Sequence, residues 1–317
     1  MNTQKLMTVA CAAALCGGVW AADEAKPVPT STANAEKKEV QVEEKDDSPL
    51  VAVEAALSFD SRYMTYGVID GKDPILTPSA QIKFFDWVYF GVESIFDMTK
   101  ANGKRGGYGN RAGQWTTLDA IVGVAHDFDC GETLGALSVD FNYIYEYLRR
   151  YKDEDGLDCV DDTQYLNLEL SLGDLWFEPT FAVERDLMAD DGTYFYFEIG
   201  HTFPLVDGES EDDDPVLAFR PSVGQGVGNS KRTHGYFDET SEGFAHAGMM
   251  DTNVKGELTW NICDHLALSA YVAYYDYLFD RNMRHAACDY NGALSENSGK
   301  YRESSQFVGG LALTASF

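Results

Sequence analysis

The sequence predicts an all-β protein, a closed antiparallel transmembrane β-barrel of about twelve strands in meander order. Apolar and polar residues alternate with a period of two from Val51 onward, which is typical of strands whose two faces meet different surroundings. Short turns alternate with long connections along the chain, as they do at the two ends of such barrels. The last alternating segment ends at Phe317.

The segment before the barrel divides into two parts. Residues 1–21 are predicted to be a Sec-type signal peptide, because a basic start is followed by the apolar run 6–19, which is too short to span a bilayer. A lipoprotein signal ending at Cys16 is the alternative, and the bulky leucine before that cysteine argues against it. Residues 22–50 are rich in Ala, Pro, Glu, Lys and Thr. Such a composition predicts a disordered periplasmic linker, with 51–317 as the barrel.

The barrel strands are predicted from alternation alone. In the first, Val51, Val53, Leu57 and Phe59 share one face, while the other face is largely polar. Many of the segments have roughly the 9 to 11 residues that a tilted strand needs to cross a bilayer. The predicted segments lie near 51–66, 75–85, 87–97, 115–127, 133–147, 163–173, 175–186, 193–203, 216–224, 250–262, 266–279 and 305–317.

The connections distinguish this barrel from a soluble sandwich, which also alternates. Tiny turns are predicted around Asp86, 173–174 and 264–265. One acidic connection, 204–215, is long although it falls on the short side. Short turns on one side and long loops on the other favour a membrane barrel with a periplasmic and an extracellular end. The long connections are 98–114, 148–162, 225–249 and 280–304.

The charge balance excludes one class of partner. The chain has 52 acidic and 24 basic residues, a formal net charge of -28. Nucleic-acid binding requires a basic surface, so nucleic acid is not an expected partner. The mean hydropathy is only -0.28, since the apolar residues are spread by alternation instead of being gathered into a membrane-spanning helix.

The first hairpin carries a resemblance to a known family. The residues are 61–68 (SRYMTYGV), then Pro78-Ser79, then 89–94 (YFGVES). They resemble the opening of an uncharacterised family of small, porin-like bacterial outer-membrane barrels, where Ser-x-Tyr-x-x-Arg-Gly precedes an aromatic residue, Gly and Ser. Tyr66 stands where that family has Arg. The resemblance implies an outer-membrane location and a porin-like or channel-like role, with no catalytic motif.

The polar face of the strands would line the interior. Its ionisable residues are mostly acidic, and an acid-lined pore favours cations. The predicted function is therefore passive, weakly cation-selective diffusion of small solutes. The acidic residues are Glu54, Asp60, Glu93, Asp97, Asp119, Asp140, Glu146, Glu169, Glu178, Glu184, Asp186, Glu198 and Glu257. The basic residues are Arg62, Lys83, Arg220 and Lys255.

Three alternatives to an open pore remain. A filled barrel would pair these charges across the lumen or hydrogen-bond them to Tyr and Thr. A structural or adhesive barrel would act through the loops 225–249 and 280–304, which suit flexible surface contacts. A lipid hydrolase would need a Ser-His arrangement, and none of the six histidines sits in one. No catalytic residue and no cofactor are therefore predicted.

The loops and termini suggest further contacts. Cys159 and Cys288 fall in long outer loops and are the predicted disulfide pair, whereas Cys130 and Cys263 fall in short inner turns too far apart to bridge. The acidic loop 153–162 partly matches a calcium loop but lacks its distal Glu, so no metal site is predicted. Expected partners are outer-membrane lipid, lipopolysaccharide, small solutes, and the barrel-assembly machinery, which would read the strand ending in Phe317.

Overall fold

Twelve strands form a closed antiparallel ring in the computed structural model. The structure describes residues 51–71, 74–85, 87–99, 112–131, 133–148, 162–208, 215–237, 245–293 and 304–317. The described elements are β1 (Val51–Asp60), β2 (Tyr63–Thr65), β3 (Val68–Gly71), β4 (Ile75–Phe84), β5 (Val88–Asp97), β6 (Gln114–Asp129), β7 (Ala136–Leu148), β8 (Thr163–Ser171), β9 (Thr180–Asp186), β10 (Thr193–Gly200), β11 (Phe203–Val206), β12 (Leu217–Gly228), α1 (Ser230–Phe237), β13 (Gly248–Cys263), β14 (Leu266–Asp276), α2 (Arg281–Ala293) and β15 (Gln306–Ser316).

The ring is a meander that closes on itself. Each barrel strand pairs with its neighbours in sequence, β10 pairs with β12, and β15 pairs with β1. The short strand β11 also pairs with β12 and continues the line of β10. At the seam, Val53 N donates to Phe317 O at 2.7 Å and Phe317 N donates to Val53 O at 2.8 Å. The predicted fold class is confirmed. The strands β2 and β3 form a separate hairpin that does not pair with the strands of the ring.

Two predicted strand boundaries differ from the structure by five residues or more. The first strand ends at Asp60 instead of continuing to Tyr66, because the chain leaves the wall there and folds into the hairpin β2–β3. The seventh begins at Thr180 instead of residue 175. The segment 172–179 makes turns instead, with Leu172 N bonded to Pro179 O at 3.1 Å. Glu178 has a φ of 38° there, which is incompatible with a regular strand.

The two ends of the barrel differ, and we name them accordingly. The turn rim carries Val51, Ser316 and the short turns, such as that between β13 and β14; the loop rim is the opposite end, where the long connections join the strands. Exposed and partly buried residues alternate strictly along β1. Large apolar side chains such as Val92 and Val254 are exposed on the outer face. Exposed aromatic residues flank this belt, and they include Trp87, Trp176, Phe203 and Phe317 near the turn rim and Phe279 and Phe307 near the loop rim.

The outer belt yields a direct test of lipid contact. Val92 lies in the middle of β5 and is 52% exposed. Val92→Arg is expected to lower the free energy of unfolding in lipid vesicles by about 2 to 4 kcal/mol, the cost of a basic side chain near the bilayer midplane. A urea titration followed by tryptophan fluorescence measures it. Gln81→Arg, on the inner face of the adjacent strand β4, is the control; equal costs for both variants would contradict a lipid-facing exterior.

Two helices lie in connections that the sequence suggested were flexible surface loops. Asn229 caps α1 by accepting from Arg232 N at 2.9 Å, and Asp280 caps α2 by accepting from Met283 N at 3.1 Å. In α2 the buried residues recur at helical spacing, namely Met283, Ala286, Ala287 and Tyr290. The two loops are therefore partly helical and packed, which corrects the prediction. No helix in the described ranges is long and apolar enough to cross a membrane.

Candidate functional site

The lumen is occupied at the loop rim by three pieces of chain that we call the lid. The lid consists of the hairpin β2–β3 (Tyr63–Gly71) and the helices α1 and α2. Its residues Tyr66 and Val68 share one buried apolar cluster with residues of α1, α2 and the wall strands β8 to β10. The filled-barrel alternative therefore describes the loop-rim end of the lumen, where side chains are packed instead of facing an open channel.

Asp70 joins the hairpin to both helices. Tyr236 of α1 donates to Asp70 Oδ2 at 2.5 Å, and Tyr290 of α2 donates to Asp70 Oδ1 at 2.6 Å. The two tyrosine rings stack with their centroids 5.2 Å apart. The backbone N–H of Ile69 also donates to Asn291 Oδ1 at 3.0 Å. One carboxylate thus ties together three elements that are distant in sequence.

The tip of the hairpin is a tight turn against the wall. Tyr66 and Gly67 have φ angles of 46° and 77°, as a two-residue type I′ turn requires. The Tyr66 hydroxyl donates to Glu184 of β9, and Tyr277 donates to the Tyr66 carbonyl at 2.5 Å. A Cβ at position 67 would overlap Asp251 of β13. Glycine is therefore required at this point of close approach.

A buried arginine fastens α1 to the wall. Arg232 is fully buried, and its Nη2 donates to Glu184 Oε1 at 2.9 Å. Its Nη1 lies 3.1 Å from Asp190 Oδ2 and 3.9 Å from Asp186 Oδ2. The guanidinium also lies 4.9 Å from the centroid of the Tyr66 ring. The single positive charge of Arg232 is therefore shared among three carboxylates at the loop rim.

The excess of carboxylates over cations around Arg232 affects the pKa of Asp190, in the turn that joins β9 to β10. Burial raises the pKa of Asp190 to about 6; Arg232 acts to lower this pKa, whereas Asp186 raises it further. The neighbouring Asp191 is solvent-exposed, and its pKa is lowered by a hydrogen bond from Lys231. Asp190 is thus the carboxylate of this turn that gains a proton in mildly acidic solution.

On the inner face of the wall, tyrosines cover glycines and bond to carboxylates. The Tyr89 ring covers Gly123 and its hydroxyl donates to Asp140 Oδ1 at 2.8 Å. In the same way Tyr196 covers Gly224 and donates to Glu198 Oε2 at 2.9 Å. Tyr271 covers Gly310 and donates to Asp60 Oδ1. Several of the predicted inward acids thus accept tyrosine hydroxyls, as the filled-barrel alternative had proposed.

Other predicted acids face each other across neighbouring strands. Glu93, Asp119 and Glu146 stand directly opposite one another on β5, β6 and β7. Asp140 and Glu169 are paired in the same manner on β7 and β8. Asp119 is 3% exposed, and its Oδ1 has no hydrogen-bond partner among the described residues. Like charges in register weaken a sheet, so this row is a structural cost that a purely structural wall does not require.

The four predicted basic residues sit close to acceptors. Arg220 bridges Glu178 and Glu198 at 2.9 and 2.7 Å, Arg62 donates to Gln306 Oε1 at 2.8 Å, and Lys255 pairs with Glu257. Lys83 interacts electrostatically with Glu54 and Asp140. Glu178 was predicted on a strand but lies in the turn 172–179 at the turn rim. The remaining predicted residues Asp97, Glu184 and Asp186 lie at the loop-rim ends of β5 and β9.

The cysteine and metal expectations are only partly covered by the described residues. Cys159 and the acidic segment 153–161 lie outside them, so the disulfide stays a prediction. Cys288 lies on α2, and burial raises the pKa of its thiol. Cys130 and Cys263 are exposed free thiols at the turn rim. Within the described ranges, no group of three His, Cys, Asp or Glu side chains is arranged to hold a metal ion.

The lid is the part of this site that sequence reasoning missed. Asp70 and Arg232 were not singled out, Tyr66 was noted only in the family resemblance, and the helices were read as loop. Two local signals could have indicated them. Asn229 and Asp280 each precede a short segment with helical spacing of apolar residues, and Tyr66-Gly67 lies between two short β-prone runs.

The fold and the lumen together define a class, closed meander barrels with an apolar outer surface and a charged, tyrosine-rich interior. No protein-family model matches the chain, and no curated protein does. An outer membrane channel from Pseudomonas putida F1, known from its crystal structure, is 8% identical over 88% of this chain and 100% of that chain, with a TM-score of 0.45. The KdgM porin is 7% identical over 84% of this chain and 99% of that chain, with a TM-score of 0.42.

A third solved structure is also similar to this chain. The NanC porin is 9% identical, covering 82% of this chain and 98% of its own, with a TM-score of 0.41. At these identities the similarity concerns the barrel fold alone. The resemblance of the first hairpin to uncharacterised porin-like barrels stays a prediction, because no family model supports it.

Proposed function

We propose that this protein is an outer-membrane channel through which small solutes diffuse passively, with a preference for cations. The apolar belt on the outer face supports a location in lipid, because only closed barrels and helices satisfy their backbone groups there. The predicted signal peptide 1–21 supports export, and the alternating last strand supports delivery to the outer membrane, where lipid, lipopolysaccharide and the assembly machinery would be the partners. In this orientation the turn rim faces the periplasm and the loop rim faces outward.

The observation that carries the proposal is the row Glu93, Asp119 and Glu146, three carboxylates in register across adjacent strands. Such a row costs stability in a closed wall. It becomes useful where a mobile cation passes, since a ring of negative charge in a low-dielectric wall raises the local cation concentration. The inward bases each lie beside an acid or amide.

The selectivity can be measured as a reversal potential. The refolded mature protein in a planar bilayer under a KCl gradient is expected to favour K⁺. Glu93→Gln together with Asp119→Asn should lower the cation-to-anion permeability ratio by a factor of about two to five, because losing both charges weakens the attraction of the row for cations by on the order of 0.5 to 1 kcal/mol in total. Asp127→Asn with Asp264→Asn, exposed at the turn rim, is the charge-matched control. An unchanged ratio in the lumen variant would contradict selectivity by this row.

A second candidate is a non-conducting structural barrel, and the lid favours it. The hairpin and both helices pack together at the loop-rim end of the lumen, so this end of the barrel is filled by side chains. The two candidates differ in one result. A channel conducts, at least intermittently, when the protein is folded and inserted, whereas a structural barrel stays silent even after the hairpin is removed.

A further inference from the structure

We propose that the hairpin β2–β3 is the movable stopper of this channel and that Asp70, held by Tyr236 and Tyr290, is the latch that keeps it shut. The inference rests on the proposed channel function and concerns its regulation. The helices α1 and α2 form the fixed part of the lid, and the hairpin swings away from them when the latch opens.

The hairpin reaches the wall in several directions, so it covers the bore. On one side Met64 and Ile69 pack against Ala273, Tyr275 and Val308 of β14 and β15. On another side Tyr63 packs against Ile75 and Ile95 of β4 and β5. Its tip meets β9 through the Tyr66–Glu184 hydrogen bond. A segment that touches strands so widely separated around the ring leaves little room for a solute beside it.

The hairpin is nevertheless held by few backbone bonds. Its strands have only three and four residues, and in the described structure they pair with each other and with no strand of the ring. A two-stranded hairpin of this size does not hold its position by itself. Its hydrogen bonds to the helices include those from the two tyrosine hydroxyls to Asp70 and the Ile69–Asn291 bond, and the ring of Tyr66 also contacts Tyr236 and the Arg232 guanidinium of α1. Hydrogen bonds to a carboxylate are stronger than neutral ones, so Asp70 accepts the strongest of these hydrogen bonds.

The helices also have attachments of their own to the wall. Arg232 fixes α1 to Glu184 of β9 and to Asp190 in the turn that follows it. Arg284 of α2 donates to Ser304 at 2.9 Å, and Ser304 in turn donates to Asp276 of β14. The start of the hairpin is tied to β15, where Gly309 N donates to Ser61 Oγ at 3.0 Å. This arrangement gives a hinge near Ser61 and a latch at Asp70.

Single-channel recording of the full-length mature protein tests the latch. Tyr236→Phe with Tyr290→Phe removes two hydroxyls and keeps both stacked rings, and it should raise the open probability at least tenfold. The conductance of the open state should stay unchanged, because neither substitution alters the lumen toward the turn rim. Tyr145→Phe is the matched control: its hydroxyl bonds to Asp162 at the same rim, so its open probability should equal that of the wild type. An open probability equal to wild type in the double variant would overturn the latch.

A hairpin deletion separates the failure of the gate from the failure of the channel. Replacing residues 62–73 by a short Gly-Ser linker should give a permanently open channel, with folding verified by circular dichroism and resistance to trypsin. A wild type that is already fully open, and a deletion that conducts equally, would overturn the stopper while leaving the channel function standing. A folded, inserted deletion variant that never conducts would overturn the channel function and the gate with it.

Discussion

Replacing Arg232 with leucine is expected to loosen α1 from the barrel by about 3 to 5 kcal/mol, the cost of removing one member of a buried ion pair. The variant leaves Glu184, Asp186 and Asp190 without the cation that they share. These acids must then take up protons or water, and the helix must move to let water in. Hydrogen exchange measured by mass spectrometry should show protection of the α1 amides falling by more than about a hundredfold.

An exposed arginine at the same rim provides the control for this experiment. Arg185 pairs with Asp191 but keeps 36% of its side chain in solvent. Arg185→Leu should therefore change α1 protection by about 0 to 1 kcal/mol, as is typical of surface ion pairs. Equal losses of protection in the two variants would show that total charge at the rim matters, and that the buried cluster around Arg232 does not.

The second large effect is expected at the tip of the hairpin, where Gly67→Ala should displace β2–β3 from the lumen. The left-handed φ of 77° costs an L-residue about 1 to 2 kcal/mol. The new methyl group would also overlap Asp251 on the wall, and overpacking of this kind costs about 1 to 3 kcal/mol more. Cleavage of the intact barrel by chymotrypsin at Tyr63 and Tyr66, both buried in the wild type, measures the displacement.

Gly113 separates the two contributions to this effect. It has the same φ of 77°, and a Cβ built on it meets nothing within 4 Å. Gly113→Ala should cost only the backbone strain and should leave the hairpin protected from protease. If Gly67→Ala remains as resistant as Gly113→Ala, the tip does not press against Asp251 as the structure indicates.

The barrel strands could be predicted because lipid imposes the same alternation on all of them. Outward residues such as Val92 must be apolar whatever their neighbours are, so parity alone assigns each side chain to a face. The inward acids followed from the same parity. The hydrogen-bond partners of these acids could not be predicted in this way. The contacts of Asp140 with Tyr89 and of Asp60 with Tyr271 depend on the register between strands, which a single sequence does not reveal.

The lid could not be predicted for a different physical reason. Its apolar residues are buried by one another and by the inner face of the wall and not by lipid, so no single period is shared by the hairpin and the helices. The chain leaves the wall at Ser61-Arg62 without Gly or Pro, and the β-prone residues that follow, through Tyr66, made the hairpin look like more of β1. The latch joins residues that are 166 and 220 positions apart in sequence, namely Asp70 with Tyr236 and Asp70 with Tyr290. Only the closed ring brings them together.

The seam between β1 and β15 has a consequence for how the molecule is made. The ring joins its first strand to its last, through bonds between Val53 and Phe317. Until the final strand has been synthesised, β1 and β14 are both left with unpaired backbone groups, which attract other chains. Contacts of such long sequence separation also form slowly. Damage at the seam should therefore reduce the yield of assembled protein through aggregation during biogenesis, well before it alters the properties of barrels that have closed.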